Sequence, residues 1–342
     1  MRVLITGATG FVGSHTTVEA LRAGHEVRVL VRDPEKLTTV LARHGLDEGD
    51  LGGVVVGDMT DAGAVAAALD GCDSAVHAAA QIGVSAAGHA DHDSRVNVDG
   101  VRQVVGGAVA AGLDPVVYTS TTSAYWPVDA AVVTPDTPLG DLAGPYCESK
   151  RACEELVRAR QAEGAPITTL VLGAVYGPDG PAVDGSADSL ISMLASVMLL
   201  TEGGLGVIDV RDVAGLAVRA LEPGHGPRHL LAGGPFLTWA EYVAATEEAA
   251  GRAIATIGMG AEAVVAMGRD LDARRASGEA VAIPLSEEAA AIMTSGRPTD
   301  DSATWASLGG SRRSTVDTLR SMLRTLIEDG HLDAGLAPAA AP

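Results

Sequence analysis

Tyr146 and Lys150 stand four residues apart in the run Tyr146-Cys147-Glu148-Ser149-Lys150. On a helix that spacing puts both side chains on one face. A free tyrosine has a pKa of about 10 and is a poor acid or base near neutrality. An ammonium beside it favours the phenolate and lowers that value. The pair therefore fits proton transfer to or from an oxygen. An exposed tyrosine beside a surface lysine has the same spacing, so the pair means little without company. A run of hydroxyls at Thr119-Ser120-Thr121-Thr122-Ser123 is one such companion.

The second is glycine-based. Thr6-Gly7-Ala8-Thr9-Gly10-Phe11-Val12-Gly13 follows a short β-branched run and opens a helical stretch. Gly7 permits a tight turn, Gly10 lets a pyrophosphate approach the backbone, and Gly13 lets helix and strand pack closely. The helix N-terminus, with unbonded N–H groups and a favourable dipole, is where an anion would sit. A glycine triplet alone is weak; one between a strand and a helix is the context that gives it meaning.

Those residues need a scaffold to position them. Strands are expected at 2–6, 26–31, 53–57, 74–77, 115–119 and 167–172, with helices between, most clearly at 11–23, 97–111 and 145–162. Strands alternating with helices predict a parallel sheet with right-handed crossovers, an α/β doubly wound (Rossmann) architecture. After Gly177-Pro178 the pattern changes. A Gly/Pro/Asp-rich loop leads to an apolar helix around Leu190–Leu200. A strand at 205–209 and a helix at 213–221 suggest a return to the sheet. From Pro235 the chain reads as mainly helical, with a capping box at Thr238-Trp239-Ala240-Glu241 and a last amphipathic helix from Ser314 to Asp329. The expected division is a nucleotide domain (1–176 and 204–232), a smaller, mainly helical substrate region (177–203 and 233–330) and a disordered tail (331–342). Asp33 reads as an N-cap, with Pro34 at the first helical position.

Taken together, these motifs resemble the extended short-chain dehydrogenase/reductase family, which includes sugar-nucleotide epimerases, dihydroflavonol reductases and 3β-hydroxysteroid dehydrogenases. The likeness covers residues 1 to about 232 and is loose beyond. It makes residues 6–13 (Thr6, Gly7, Thr9, Gly10, Phe11, Val12 and Gly13 among them) the cofactor loop. Gly57-Asp58, with Met59 next, resembles the family's adenine-binding acid. Val76-His77-Ala78-Ala79-Ala80 resembles the loop beneath the cofactor, and Asn97-Val98-Asp99-Gly100 carries its active-site asparagine. Val175-Tyr176-Gly177-Pro178 and Asp209-Val210-Arg211-Asp212-Val213-Ala214 are further signatures. Alignment on Tyr118 makes Thr121 the catalytic hydroxyl, with Thr122 as fallback. Lys150 would also hold the nicotinamide ribose. Trp126 replaces a frequent glycine and is expected to narrow the pocket beside Thr121; Gly173 replaces a frequent proline.

The cofactor expectation is NADP(H), with NAD possible. NAD-preferring relatives end the second strand in an acid for the ribose 2′-hydroxyl. Here Val31 occupies that position, and Arg32 follows, suited to a 2′-phosphate. The expected reaction is reduction of a ketone or aldehyde, or the reverse, on a mainly apolar small molecule, with Tyr146 as acid/base. The alternatives are a sugar-nucleotide epimerase or dehydratase and a non-catalytic NADP-binding sensor. Thr122 and Ser123 stand where a dehydratase adds an acid, and the intact Tyr146/Lys150 pair argues against a sensor. No Lys or Arg occurs from Asp179 to Val210, where a diphosphate substrate would call for bases. Met193 and Met198 in that segment are adaptable enough to line a substrate pocket.

Composition closes off other classes. With 24 basic and 44 acidic residues the net charge is −20, which repels nucleic acid and anionic membranes. The apolar run at 190–200 is well short of the roughly 20 residues needed to span a bilayer. The 342 residues are 47% hydrophobic, enough for a large core. Three cysteines (Cys72, Cys147 and Cys153), odd in number and without ligand spacing, read as reduced thiols in a cytoplasmic enzyme. The N-terminal run reads as a strand, not a signal peptide. Cys147 should point away from the Tyr146/Lys150 face. His89, Asp91, His92 and Asp93 read as a polar loop entering a helix, so no metal is expected. The expected partner is a small-molecule substrate, and the expected assembly a monomer or homodimer.

Overall fold

The protein is described from a computed structural model covering residues 1–81, 90–183, 185–281, 283 and 285–341, with the side chains of 90–94 left aside. Strands β1 (Arg2–Thr6), β2 (Glu26–Val31), β3 (Gly53–Val56), β4 (Ser74–His77), β5 (Val116–Thr121) and β6 (Ile167–Leu172) alternate with helices α1 (Phe11–Arg22), α2 (Pro34–Arg43), α3 (Ala62–Leu69), α4 (Ala90–Ala110) and α5 (Pro145–Ala162). There follow β7 (Ala174–Tyr176), α6 (Gly185–Ala195), β8 (Val197–Leu200), β9 (Gly204–Asp209), α7 (Val210–Arg219), β10 (Arg228–Ala232), β11 (Phe236–Thr238), α8 (Trp239–Ala250) and β12 (Ala255–Gly258). Helices α9 (Ala261–Ala276), α10 (Glu287–Ser295), α11 (Ser302–Leu308) and α12 (Thr315–Glu328) complete the chain.

The main sheet has seven strands in the order β10-β6-β5-β4-β1-β2-β3, and every neighbouring pair is parallel. Its central strands are buried on both faces because helices cover both. Val29, Leu37, Leu41, Val213, Leu216 and Leu308 form the core under α1, α2, α7 and α11. Val65, Val104, Val105, Cys153 and Val157 form the opposite one under α3, α4 and α5. The strand order reverses between β1 and β4, and the crevice there, at the carboxyl ends, is where such sheets take ligands. Asp33 caps α2 through the Lys36 amide at 3.0 Å, and Thr238 and Glu241 cap α8 reciprocally.

Three expectations fail beyond residue 176. The strand at 204–209 does not return to the main sheet. It pairs with β7 and, antiparallel, with β11 in a separate three-stranded sheet, and β10 takes the sheet edge beside β6. The apolar segment is not one helix. α6 stops at Ala195, Ser196 turns its hydroxyl onto the Ser192 carbonyl at 2.6 Å, and 197–200 pair with β12 as a strand. Unbranched and β-branched apolar residues suit either state, and a strand partner 58 residues away decided it. The tail is ordered up to residue 341. Leu332, Ala337 and Ala340 are buried against the core formed by Tyr242, Leu319, Met322 and Leu323, and the Ala339 amide donates to Ala250 O at 2.9 Å.

Candidate active site

The glycine loop is built as a cradle. Gly7 has φ +80°, and a Cβ there would lie 2.7 Å from the Ala79 nitrogen; one at Gly13 would lie 2.1 Å from Gly7 O. Only glycine permits this packing of loop, helix and the β4–α4 connection. The N-cap of α1 is Gly10, with no capping side chain and no acid in the first turn. The first helical bond recorded there runs from the Ser14 amide to Gly10 O. The amides of Phe11, Val12 and Gly13 precede it, so the helix end is left as a donor set for an anion. Thr6 joins the two loops: its Oγ1 lies 2.8 Å from His77 Nδ1 and accepts the Ala79 amide at 3.4 Å. His77 is fully buried; burial, with Lys150 nearby, holds it neutral, down to about 3.

At the next strand ends, Val31 is buried, while the Arg32 side chain is 65% exposed and 3.8 Å from Asp58 Oδ2. Asp58 also accepts the Thr60 amide and hydroxyl, at 2.9 and 2.6 Å. Against partial burial, Thr60 and Arg32 hold its carboxyl below the usual range. Met59 packs against Gly100 of α4.

Thr121 ends β5 and caps the single 3-10 turn that follows, accepting the Ser123 amide at 3.2 Å. Across from it, the Tyr146 phenol is hydrogen-bonded by the Thr121 and Ser123 side chains. Lys150, buried one turn on, places Nζ 5.8 Å from the centre of the Tyr146 ring. Sequence reasoning expects the ammonium to lower the phenol's pKa. The structure shows the reverse for the protein chain itself: burial raises it, and the two hydroxyls only partly offset that. Burial likewise lowers Lys150. Asn97, also buried, clamps the Gln81 backbone, accepting from its amide at 2.8 Å and donating to its carbonyl at 2.9 Å. Its Nδ2 also reaches Ser149 Oγ at 3.3 Å, tying the loop after β4 to the tyrosine helix.

Tyr146, Lys150, Thr121, Asn97 and the residue 6–13 and 78–80 loops thus share the carboxyl edge of the sheet. Thr122, next in the chain, opens the 3-10 turn. Met193 is 4% exposed in the C-terminal core, and Met198 packs on the same cluster from β8. This packing makes Met193 core rather than pocket wall. Trp126 does not narrow the pocket as expected: it is buried with Tyr125, Val133, Val171 and Leu231. Cys147 is buried. His89 and the side chains of Asp91, His92 and Asp93 lie outside the described residues.

Two residues escaped sequence reasoning. Ser123 was visible as part of the hydroxyl run, but nothing in the run says which hydroxyls face the tyrosine. Glu288 gave no signal. Helix α5 starts from Gly144, which has no capping side chain, and Glu288 Oε1 of α10 accepts the Cys147 amide at 2.9 Å instead. Burial raises this carboxyl's pKa, while amide bonds from Cys147 and Tyr146 counter it.

The sequence model of the NAD dependent epimerase/dehydratase family matches residues 3–233. A "3-diazoavenalumate denitrifying reductase" of Streptomyces sp is 34% identical over 234 residues, 65% of this chain and 72% of its own length. A putative dihydroflavonol 4-reductase of Synechocystis sp. is 29% identical over 238 residues, 66% of each chain. Among solved structures, UDP-glucose-4-epimerase from Stenotrophomonas maltophila, with bound NAD and formylated UDP-arabinopyranose, superposes with a TM-score of 0.74. That likeness covers 96% of this chain and 99% of the other at 21% identity, and it speaks to the fold.

Proposed function

The chain belongs to the NAD dependent epimerase/dehydratase family, an NAD(P)-dependent oxidoreductase by that membership, and from that premise we propose that it is an NADP(H)-dependent reductase of a ketone or aldehyde on a mainly apolar small molecule. The observation that carries the reading is the Tyr146 phenol held by Thr121 and Ser123 beside buried Lys150, at the sheet edge that the Gly7–Gly13 cradle also faces. The cradle fits a dinucleotide: two positions exclude any Cβ, and an uncapped helix N-terminus follows. When bound, the nicotinamide supplies the hydride. Tyr146 gives its phenolic proton to the substrate oxygen, and a phenol whose pKa is raised is the right form for that donation. Thr121 and Ser123 aim the phenol, Lys150 holds the ribose hydroxyls, and Asn97 keeps the loop after β4 in register with α5. Buried Val31, with Arg32 after it, supports NADP(H).

A reductase is favoured over a sugar-nucleotide epimerase because residues 179–210 contain no Lys or Arg, and because Arg211, which follows, is committed to Asp209 through two bonds of 2.8 and 2.6 Å. The relative at 34% identity is named a reductase. The three free cysteines suit a reducing cytoplasmic setting. The deciding experiment is NADPH oxidation against aldehydes, cyclic ketones, steroids and nucleotide sugars. Turnover of an apolar carbonyl is expected. Efficient conversion of a nucleotide sugar, with the carbonyls inert, would overturn the proposal.

A further inference from the structure

Behind the glycine loop, three side chains distant in sequence converge. His15 lies on α1, His44 directly follows α2, and Asp179 lies in the loop after β7. One ligand atom from each lies within 4.8 Å of the other two. The imidazoles meet edge to face, with ring centroids 4.9 Å apart. His15 Nδ1 sits 3.0 Å from Phe11 O. A bond there makes Nδ1 the protonated nitrogen and leaves the Nε2 lone pair available, the usual arrangement behind a metal-bound histidine. His44 Nε2 is buried with no hydrogen-bond partner, a condition that calls for an explanation in a native protein. Asp179 is the one non-glycine residue of positive φ, +57°, among the described residues. That conformation is strained for a residue with a side chain, and the Asp179 carboxylate lies beside the two rings.

We propose that His15, His44 and Asp179 form a binding site for a divalent transition ion of the Zn²⁺ class. Two imidazole nitrogens select against Mg²⁺ and Ca²⁺, which prefer all-oxygen shells. Tetrahedral bonds of about 2.0–2.1 Å bring ligand atoms to about 3.3 Å from one another, so side-chain rotations of roughly an ångström close the site. With ligands from α1, the end of α2 and the loop after β7, the ion is structural. It fastens the loop leaving β7 to the first helix of the cofactor cradle, next to the Arg43–Asp329 ion pair that joins the ends of α2 and α12.

The test uses tag-free, chelator-stripped protein titrated with Co²⁺ and, separately, Zn²⁺. The expected result is one equivalent of Co²⁺ with the visible absorption of a tetrahedral site, and a Zn²⁺-dependent rise in the unfolding temperature. His44→Ala and Asp179→Asn should each weaken binding roughly tenfold or more and remove the absorption. Asparagine tolerates the left-handed backbone, so Asp179→Asn separates ligation from folding, with circular dichroism as the check. No tetrahedral band in the wild type, or binding of equal strength in both variants, would overturn the site. Neither outcome depends on the reductase reading.

Discussion

At the scale of single residues, the Tyr146 site makes the sharpest claims. Tyr146→Phe removes the proposed proton donor but keeps the ring and helix. Turnover should fall about a hundredfold or more, while NADPH affinity, read by fluorescence, stays put; retention of more than about a tenth of the activity would assign the acid to another group. The pH profile follows from the direction of the shift. A phenol whose pKa is raised stays protonated past its ordinary value, so reductive kcat/KM should be flat from about pH 6 to 9 and fall only above that. A fall already complete by neutral pH would contradict it. Arg32→Ala tests the cofactor: NADPH affinity should drop roughly tenfold or more, the worth of a charge-assisted bond, with NADH little changed. Equal losses for both cofactors would remove the 2′-phosphate contact. Tyr146 and Lys150 were legible because helix geometry alone puts them on one face. Ser123 was not, because its direction depends on the turn after β5.

At the scale of elements, close packing is where glycine identity matters. Gly13→Ala puts a methyl 2.1 Å from Gly7 O. Backbone must move, at a cost of about 1–3 kcal/mol, and the movement falls on the cradle. Lower cofactor affinity and a lower unfolding temperature should appear together. Gly106, in α4, meets nothing within 4 Å, so Gly106→Ala should leave affinity unchanged and stabilise by about 0.5–1 kcal/mol. If the two variants behaved alike, the cradle argument would fail. Several elements of the first half were legible to the residue, as at Glu26–Val31 and Pro145–Ala162, because their hydrophobic runs and caps are local, whereas the helix expected at 97–111 begins at Ala90. Residues 197–200 were not: strand or helix was settled by whether 255–258 lay alongside.

At the scale of the whole molecule, the carboxyl-terminal segment is part of the structure. Leu332, Ala337 and Ala340 are buried, and small side chains let the segment pack on the end of α8. Removing residues 332–342 exposes at least one leucine's worth of core, about 1.5–3 kcal/mol. Thermal unfolding should begin lower, by about 2–4 °C. An unchanged midpoint would show that the segment packs without stabilising. Glu288 has a similar reach: a carboxylate from α10 caps the helix that carries Tyr146, so the C-terminal region and that helix are mechanically joined.

The sequence alone determined the doubly wound sheet, its first six strands, the cradle and the Tyr146/Lys150 face. Each depends on spacing within one element or across one strand–turn–helix unit, and period, caps and glycines express that directly. Tertiary structure alone decided which strands close the sheet, that Met193 and Trp126 belong to cores, that residues 332–341 are packed, and that His15, His44, Asp179 and Glu288 meet the partners they do. Those outcomes are long-range: the groups involved lie tens to hundreds of residues apart, and only the packing of finished elements brings them within bonding distance.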